Sequence, residues 1–165
     1  MPFSLLPGVM ARSLTEVTPG MLSQRGIRLL MLDFDNTIVP YTTDIPTEKM
    51  ISWLREMEHS DIRLCVVSNS RKNRVPRFCA EYGLDCVTHA KKPFQKGIRE
   101  CLERYGVSPS QAALAGDQIY TDTLGANCAG VLSILVKAID NHNIWLKARH
   151  VLELPFIFFA RKRRI

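Results

Sequence analysis

The sequence predicts a single α/β domain: a doubly wound, parallel, five-stranded sheet with helices on both faces and no cap domain. Three observations predict it. Short apolar runs with few polar positions recur along the chain, as strands buried on both faces require. Stretches of helical spacing separate these runs, and polar residues cluster after them rather than within them. At 165 residues the chain can build one proper core and not comfortably two.

The elements follow in order. Residues 1–26 read as a leader packed on the core, punctuated by Pro19-Gly20 and Gly26. Ile27 to Leu32 is a continuous apolar strand. Thr47 is a suitable N-cap for a helix reaching about His59, with Met50, Trp53, Leu54 and Met57 on one face. Ile62 to Val67 predicts a second strand. Val75, Phe78, Cys79 and Tyr82 mark a helix stopped by Gly83, and Asp85 to Thr88 a short third strand. Pro93 stands where a first-turn proline belongs, with Phe94, Ile98, Leu102 and Tyr105 following at helical spacing up to Gly106. Ala112 to Ala115 predicts a small-residue strand, Thr121 to Cys128 a short helix, and Val131 to Val136 the fifth strand. A helix is expected from His142 to Leu152, which closes the domain of residues 27–152, and 153–165 form an apolar and basic tail.

Composition narrows the class. Apolar residues make up 46% of the chain and mean hydropathy is near zero, as in a folded globular protein. The net charge is +6, and Arg161, Lys162, Arg163 and Arg164 supply four of those charges. A nearly neutral body with a basic end argues against a protein that coats nucleic acid. The five cysteines are scattered without a C-x-x-C pair, which predicts reduced thiols in a cytoplasmic protein. "MPFSLLPGVMARS" has no early positive cluster and is broken by Pro2, Pro7 and Gly8, so no signal peptide is expected. No apolar stretch approaches the roughly 18 to 20 residues a membrane span needs.

In a doubly wound sheet, ligands bind outside the carboxyl ends of the strands. The polar residues of this sequence fall there. Asp33-Phe34-Asp35-Asn36-Thr37 ends the first strand and Ser68-Asn69-Ser70 the second. Lys91-Lys92-Pro93 follows the third, and Gly116-Asp117, with Asp122 five residues on, ends the fourth. Several carboxylates converging without a His or Cys set suit Mg²⁺ rather than zinc. A carboxylate could then attack phosphorus, and a second could shuttle the proton of the leaving alcohol. A lysine and a hydroxyl could hold the oxygens of the transferring group.

These motifs, "DFDNTIVPY", "SNS", "AKKP" and "GDQIYTDTLGANCAG", resemble the haloacid dehalogenase phosphatase superfamily. Within it they resemble the YqeG family of subclass IIIA, related to phosphatidylglycerophosphate phosphatases. The resemblance implies a nucleophile at Asp33 and a general acid/base at Asp35, whose backbone carbonyl would also face the metal. Thr37 would hold Asp35 in place. Ser68 and the amide of Asn69 would bind the phosphoryl group and Lys92, or its neighbour Lys91, would neutralise it. Phe34 falls in the same substrate-binding stretch. Asp33, Asp35 and Asp117 would ligate Mg²⁺, with Asp122 a further ligand or a structural support. Taken singly, each motif reads as an ordinary turn, cap or surface lysine; their order and spacing carry the argument.

The intervals Thr37–Ser68 and Ser70–Lys92 are too short for a lid domain, so the crevice should be open to a large or lipid-borne phosphate. "LPFIFFARKRRI" either packs its aromatics on the core or dips into a lipid headgroup layer. Two rival readings use the same fold. In a receiver-like switch, an aspartate would end the third strand, where Thr88-His89 stand instead. In a scaffold, the basic tail alone would bind membrane or nucleic acid, but no nucleic-acid motif accompanies it.

Overall fold

The chain forms its sheet from strands that are apolar on both sides. In the computed structural model, which describes residues 4–140 together with 156, 158 and 160, six parallel strands run in the order β1-β6-β5-β2-β3-β4. They are β1 (Val9–Ala11), β2 (Leu29–Leu32), β3 (Arg63–Val67), β4 (Asp85–Val87), β5 (Ala112–Gly116) and β6 (Leu132–Val136). All four residues of β2 are fully buried. Leu30 and Leu32 join one core cluster with Trp53, Val66 and Phe78, while Leu29 and Met31 join the other with Cys65, Ile98 and Leu114. Successive side chains leave a strand on opposite faces, so this split is the alternation of a strand covered twice. Each such leucine or methionine contributes about 1.5–3 kcal/mol of burial.

Helices α1 (Pro19–Ser23), α2 (Glu48–Glu58), α3 (Arg74–Glu81), α4 (Lys96–Tyr105) and α5 (Leu124–Ala129) cover the sheet. Thr47 caps α2 as expected, its hydroxyl accepting from the Met50 amide at 3.2 Å. Trp53 lies in the core and donates its indole N–H to the Val17 carbonyl at 2.8 Å.

The structure corrects the sequence reading at three places. There are six strands rather than five, because Val9–Ala11 in the leader pairs in parallel with β6, Val9 opposite Ile134. Gly8 permits this approach, since a Cβ there would lie 2.8 Å from Leu132 Cδ1. Pro93 is not the first residue of a helix. The Lys92–Pro93 bond is cis, Pro93 lies in a turn closed by Phe94 N to Lys91 O at 2.8 Å, and α4 begins at Lys96. The helix expected from Thr121 starts earlier, at Ile119, and its first turn over Ile119–Thr123 is a wide π turn in which Thr123 N reaches back five residues to Gln118 O before α5 continues from Leu124. The helix expected at 142–152, with Trp145, and the basic residues 161–164 lie outside the described residues.

From β2 the chain steps outward through β3 to β4, then returns to the other side of β2 for β5 and β6. The reversal lies between β2 and β5, and a crevice opens at their carboxyl ends. Asp33 follows β2 and Asp117 follows β5 at that edge. No lid domain interrupts the described residues.

Candidate active site

Four ionisable side chains are buried together at this switch point: Asp33, Lys92, Asp117 and Asp122, each 6% exposed or less. Lys92 Nζ stands 2.6 Å from Asp33 Oδ1 and 2.6 Å from Asp122 Oδ1. Burial alone would drive the lysine toward its neutral form, but Asp122 and Asp33 outweigh it and raise its pKa, so the ammonium persists. One oxygen each of Asp33, Asp117 and Asp122 lie within 4.8 Å of one another. Three carboxyl groups thus share one buried crevice with the Lys92 ammonium.

Burial sets the state of Asp33. Burial pushes its carboxyl up to about 7, against the pull of Lys92 and with the help of Asp122. Its second oxygen, Oδ2, is buried without a hydrogen-bond partner. An unpartnered buried carboxylate oxygen with two further carboxylates within 4.8 Å is what a hard divalent cation satisfies.

Tight packing builds the cluster. Asp122 Oδ2 accepts from the Gln118 amide at 3.1 Å, and Gly116 leaves it room, since a Cβ there would come 2.4 Å from that oxygen. Of the adjacent lysines, Lys92 reaches the acids while Lys91 is exposed. Asn69 aims Lys92: its Oδ1 accepts the Lys92 amide at 2.7 Å, and its Nδ2 donates to the Lys92 carbonyl at 2.9 Å. Ser68 is buried beside it, its Oγ accepting the Ser70 amide at 3.0 Å, which leaves its own O–H as a donor.

The rest of the first motif behaves differently. Asp35 is partly exposed and its Oδ1 accepts from Arg74 Nη1 at 2.7 Å. Burial raises its pKa and Arg74 opposes the rise. Thr37 does not hold Asp35, for its Oγ1 is buried without a hydrogen-bond partner; the Asp35 carboxyl is paired with Arg74 instead. Phe34 is fully buried, its ring 5.1 Å from that of Phe78 in the core, so its side chain faces the core rather than the crevice. Asn36, at φ 67°, ties the first motif to the end of β6, donating to Asp140 O at 2.7 Å and accepting from Asp140 N at 2.8 Å.

Arg74 is the residue that sequence reasoning missed. It belongs to a basic run with Arg71 and Lys72, and nothing in the order of residues marks which cation turns inward. Both neighbours are exposed.

Comparisons with known proteins agree with the geometry. Residues 13–130 match the family of haloacid dehalogenase-like hydrolases. The probable phosphatase YqeG of Bacillus subtilis is 30% identical, covering 79% of this chain and 76% of that protein. Phosphatidylglycerophosphate phosphatase 1 of Arabidopsis thaliana is 24% identical over 95% of this chain, which spans 48% of that relative. In fold, the chain resembles the cobalt-bound deoxy-D-mannose-octulosonate 8-phosphate phosphatase of Haemophilus influenzae, with a TM-score of 0.56 at 15% identity, covering 84% of this chain and 92% of that one. With the motifs gathered at one switch point of a matching fold, the chain belongs to the haloacid dehalogenase-like hydrolase family, as one of its phosphatases.

Proposed function

We propose that the chain is a Mg²⁺-dependent phosphomonoesterase that works through an aspartyl-phosphate on Asp33, on a large or lipid-borne substrate. The buried cluster of Asp33, Asp117 and Asp122 around Lys92, with Asp33 Oδ2 left without a hydrogen-bond partner, is the observation that carries this reading. Asp33, Asp117 and the main chain of Asp35 would hold the cation, with Asp122 beside them. Once bound, it would keep the Asp33 carboxylate ionised and draw charge from the phosphoryl oxygens.

The residues then divide the work. An Asp33 oxygen attacks phosphorus and the ester P–O bond breaks. The leaving alkoxide takes the proton of the Asp35 carboxyl. Asp35, now a carboxylate, accepts a proton from water as that water's oxygen attacks phosphorus and releases Asp33. Lys92 and the Ser68 hydroxyl offset charge on the equatorial oxygens.

Two observations favour a lipid-borne phosphate: a relative named for such a substrate, and the rim. The exposed large apolar residues among those described are Tyr41, Ile45, Phe94, Ile139 and Phe158. The first four follow β2, β4 and β6 at the catalytic edge, and exposed Arg71, Lys72, Lys91 and Lys137 share it. Apolar tips among cations suit an anionic membrane surface. The Phe156 ring, 6.4 Å from that of Tyr120, brings a residue of the C-terminal segment to the same edge.

The test compares wild type and Asp33→Asn on p-nitrophenyl phosphate and on vesicles carrying phosphatidylglycerophosphate, with Mg²⁺ and after chelation. Mg²⁺-dependent turnover of both by wild type, and of neither by the variant, is expected. Full activity of the variant would remove the mechanism; turnover of the soluble ester alone would remove the lipid substrate.

A further inference from the structure

We propose that Arg74 is a positioning residue for Asp35, a latch that sets the proton-transferring carboxyl and ties it to the loop after the first motif. The inference rests on the phosphatase reading above, in which Asp35 transfers the proton.

Arg74 is the first residue of α3, and its guanidinium uses every nitrogen. Nη1 donates to Asp35 Oδ1 at 2.7 Å and to Tyr41 O at 3.5 Å. Nε donates to Asp44 Oδ1 at 2.6 Å, and Nη2 to Thr43 O at 2.9 Å and Pro40 O at 3.3 Å. The same group lies 5.1 Å from the centre of the Phe34 ring, between Asp33 and Asp35 in sequence. One cation therefore joins three separate pieces of chain: the first motif, the 40–44 loop, and the helix that follows the Ser68 loop. Only a planar fork with five N–H groups can do this; a lysine could hold one carboxylate but not also these carbonyls.

The geometry has a chemical consequence. Asp35 lies on a turn at the crevice and is partly exposed, so without a partner its side chain would sample several torsions. Fixing Oδ1 fixes the torsion, and an acid must stand within hydrogen-bond reach of the leaving oxygen to help it. Loss of Arg74 should therefore cost most where the leaving group most needs a proton. An alkoxide leaves poorly without one, whereas p-nitrophenolate leaves readily.

The experiment measures kcat on glycerol 3-phosphate and p-nitrophenyl phosphate for wild type, Arg74→Ala, Arg74→Lys, Asp35→Asn and the Arg74→Ala/Asp35→Asn double variant. Circular dichroism checks folding, and Arg74→Lys stands in should the alanine variant not fold. Arg74→Ala should lose at least about tenfold more on the alkyl ester than on the aryl ester, within the range of a general acid's contribution. Arg74→Lys should fall between it and wild type. In the Asp35→Asn background, Arg74→Ala should add little further loss on the alkyl ester, because both changes remove the same step. Equal losses on both esters, or a full additional loss in that background, would reduce Arg74 to a structural residue and overturn the proposal. Failure of wild type to turn over either ester would instead overturn the phosphatase reading beneath it.

Discussion

Asp33 is 6% exposed against the ammonium of Lys92, whereas Asp35, two residues on, is partly exposed against the guanidinium of Arg74. Both carboxyls are pushed up by burial and pulled down by a cation. The two regions differ in what their cations also serve. Lys92 is shared with Asp122 beside a third carboxylate, so several ionisable groups crowd a dry place. Arg74 spreads its donors over two carboxylates and several carbonyls, so structure is tied down near solvent. The first arrangement stores a demand for a cation; the second fixes a conformation.

Breaking the buried side should have the largest effect on stability. Lys92→Met removes the cation that Asp33 and Asp122 both face and leaves those two carboxyls buried against each other, at a cost of about 3–5 kcal/mol. The midpoint of urea denaturation of the metal-free protein measures this. Should the midpoint not move, the lysine is not what balances the cluster.

The next effect follows from the sign of the Asp33 shift. The unfolded chain gives up this proton near 3.8, while the native protein holds it to about 7. Between those values the native state binds more protons, so stability falls as pH rises through the window and levels off above it. Metal-free protein should be more stable at pH 5 than at pH 8 by on the order of a few kcal/mol at most, read as a higher melting temperature at pH 5. In Asp33→Asn this part of the slope should vanish.

The smallest effect lies far from either aspartate and calibrates both. The Arg104–Glu100 pair on α4 is 3.1 Å long and more than two-fifths exposed at each end. Glu100→Gln should change stability by no more than about 0.5 kcal/mol in thermal melts. A larger change would mean that surface charge, not burial, separates the regions.

Much of this could be read in the residues. Five of the six strands and the α2 cap are local patterns, and the acids at strand ends are dictated by chain order once a doubly wound sheet is assumed. Val9–Ala11 was not legible, because three residues carry no period and its partner β6 is more than a hundred residues away. Thr37 was expected to hold Asp35, and the motif offers no sign that a helix arriving later in the chain does so instead. The sequence offers Asn69 as a phosphate contact through its amide; the engagement of its side chain with both backbone groups of Lys92 emerges only when β3 and β4 lie side by side.

The sequence by itself determined the layering and the set of chemical groups, since burial on both faces of a strand and polar strand ends are properties of neighbouring residues. Tertiary structure alone decided which arginine turns inward and how closely the buried acids stand around Lys92, the lysine that the motif order favours. Those outcomes depend on distances between segments far apart in the chain, and electrostatic energy in a poorly hydrated crevice changes steeply with such distances.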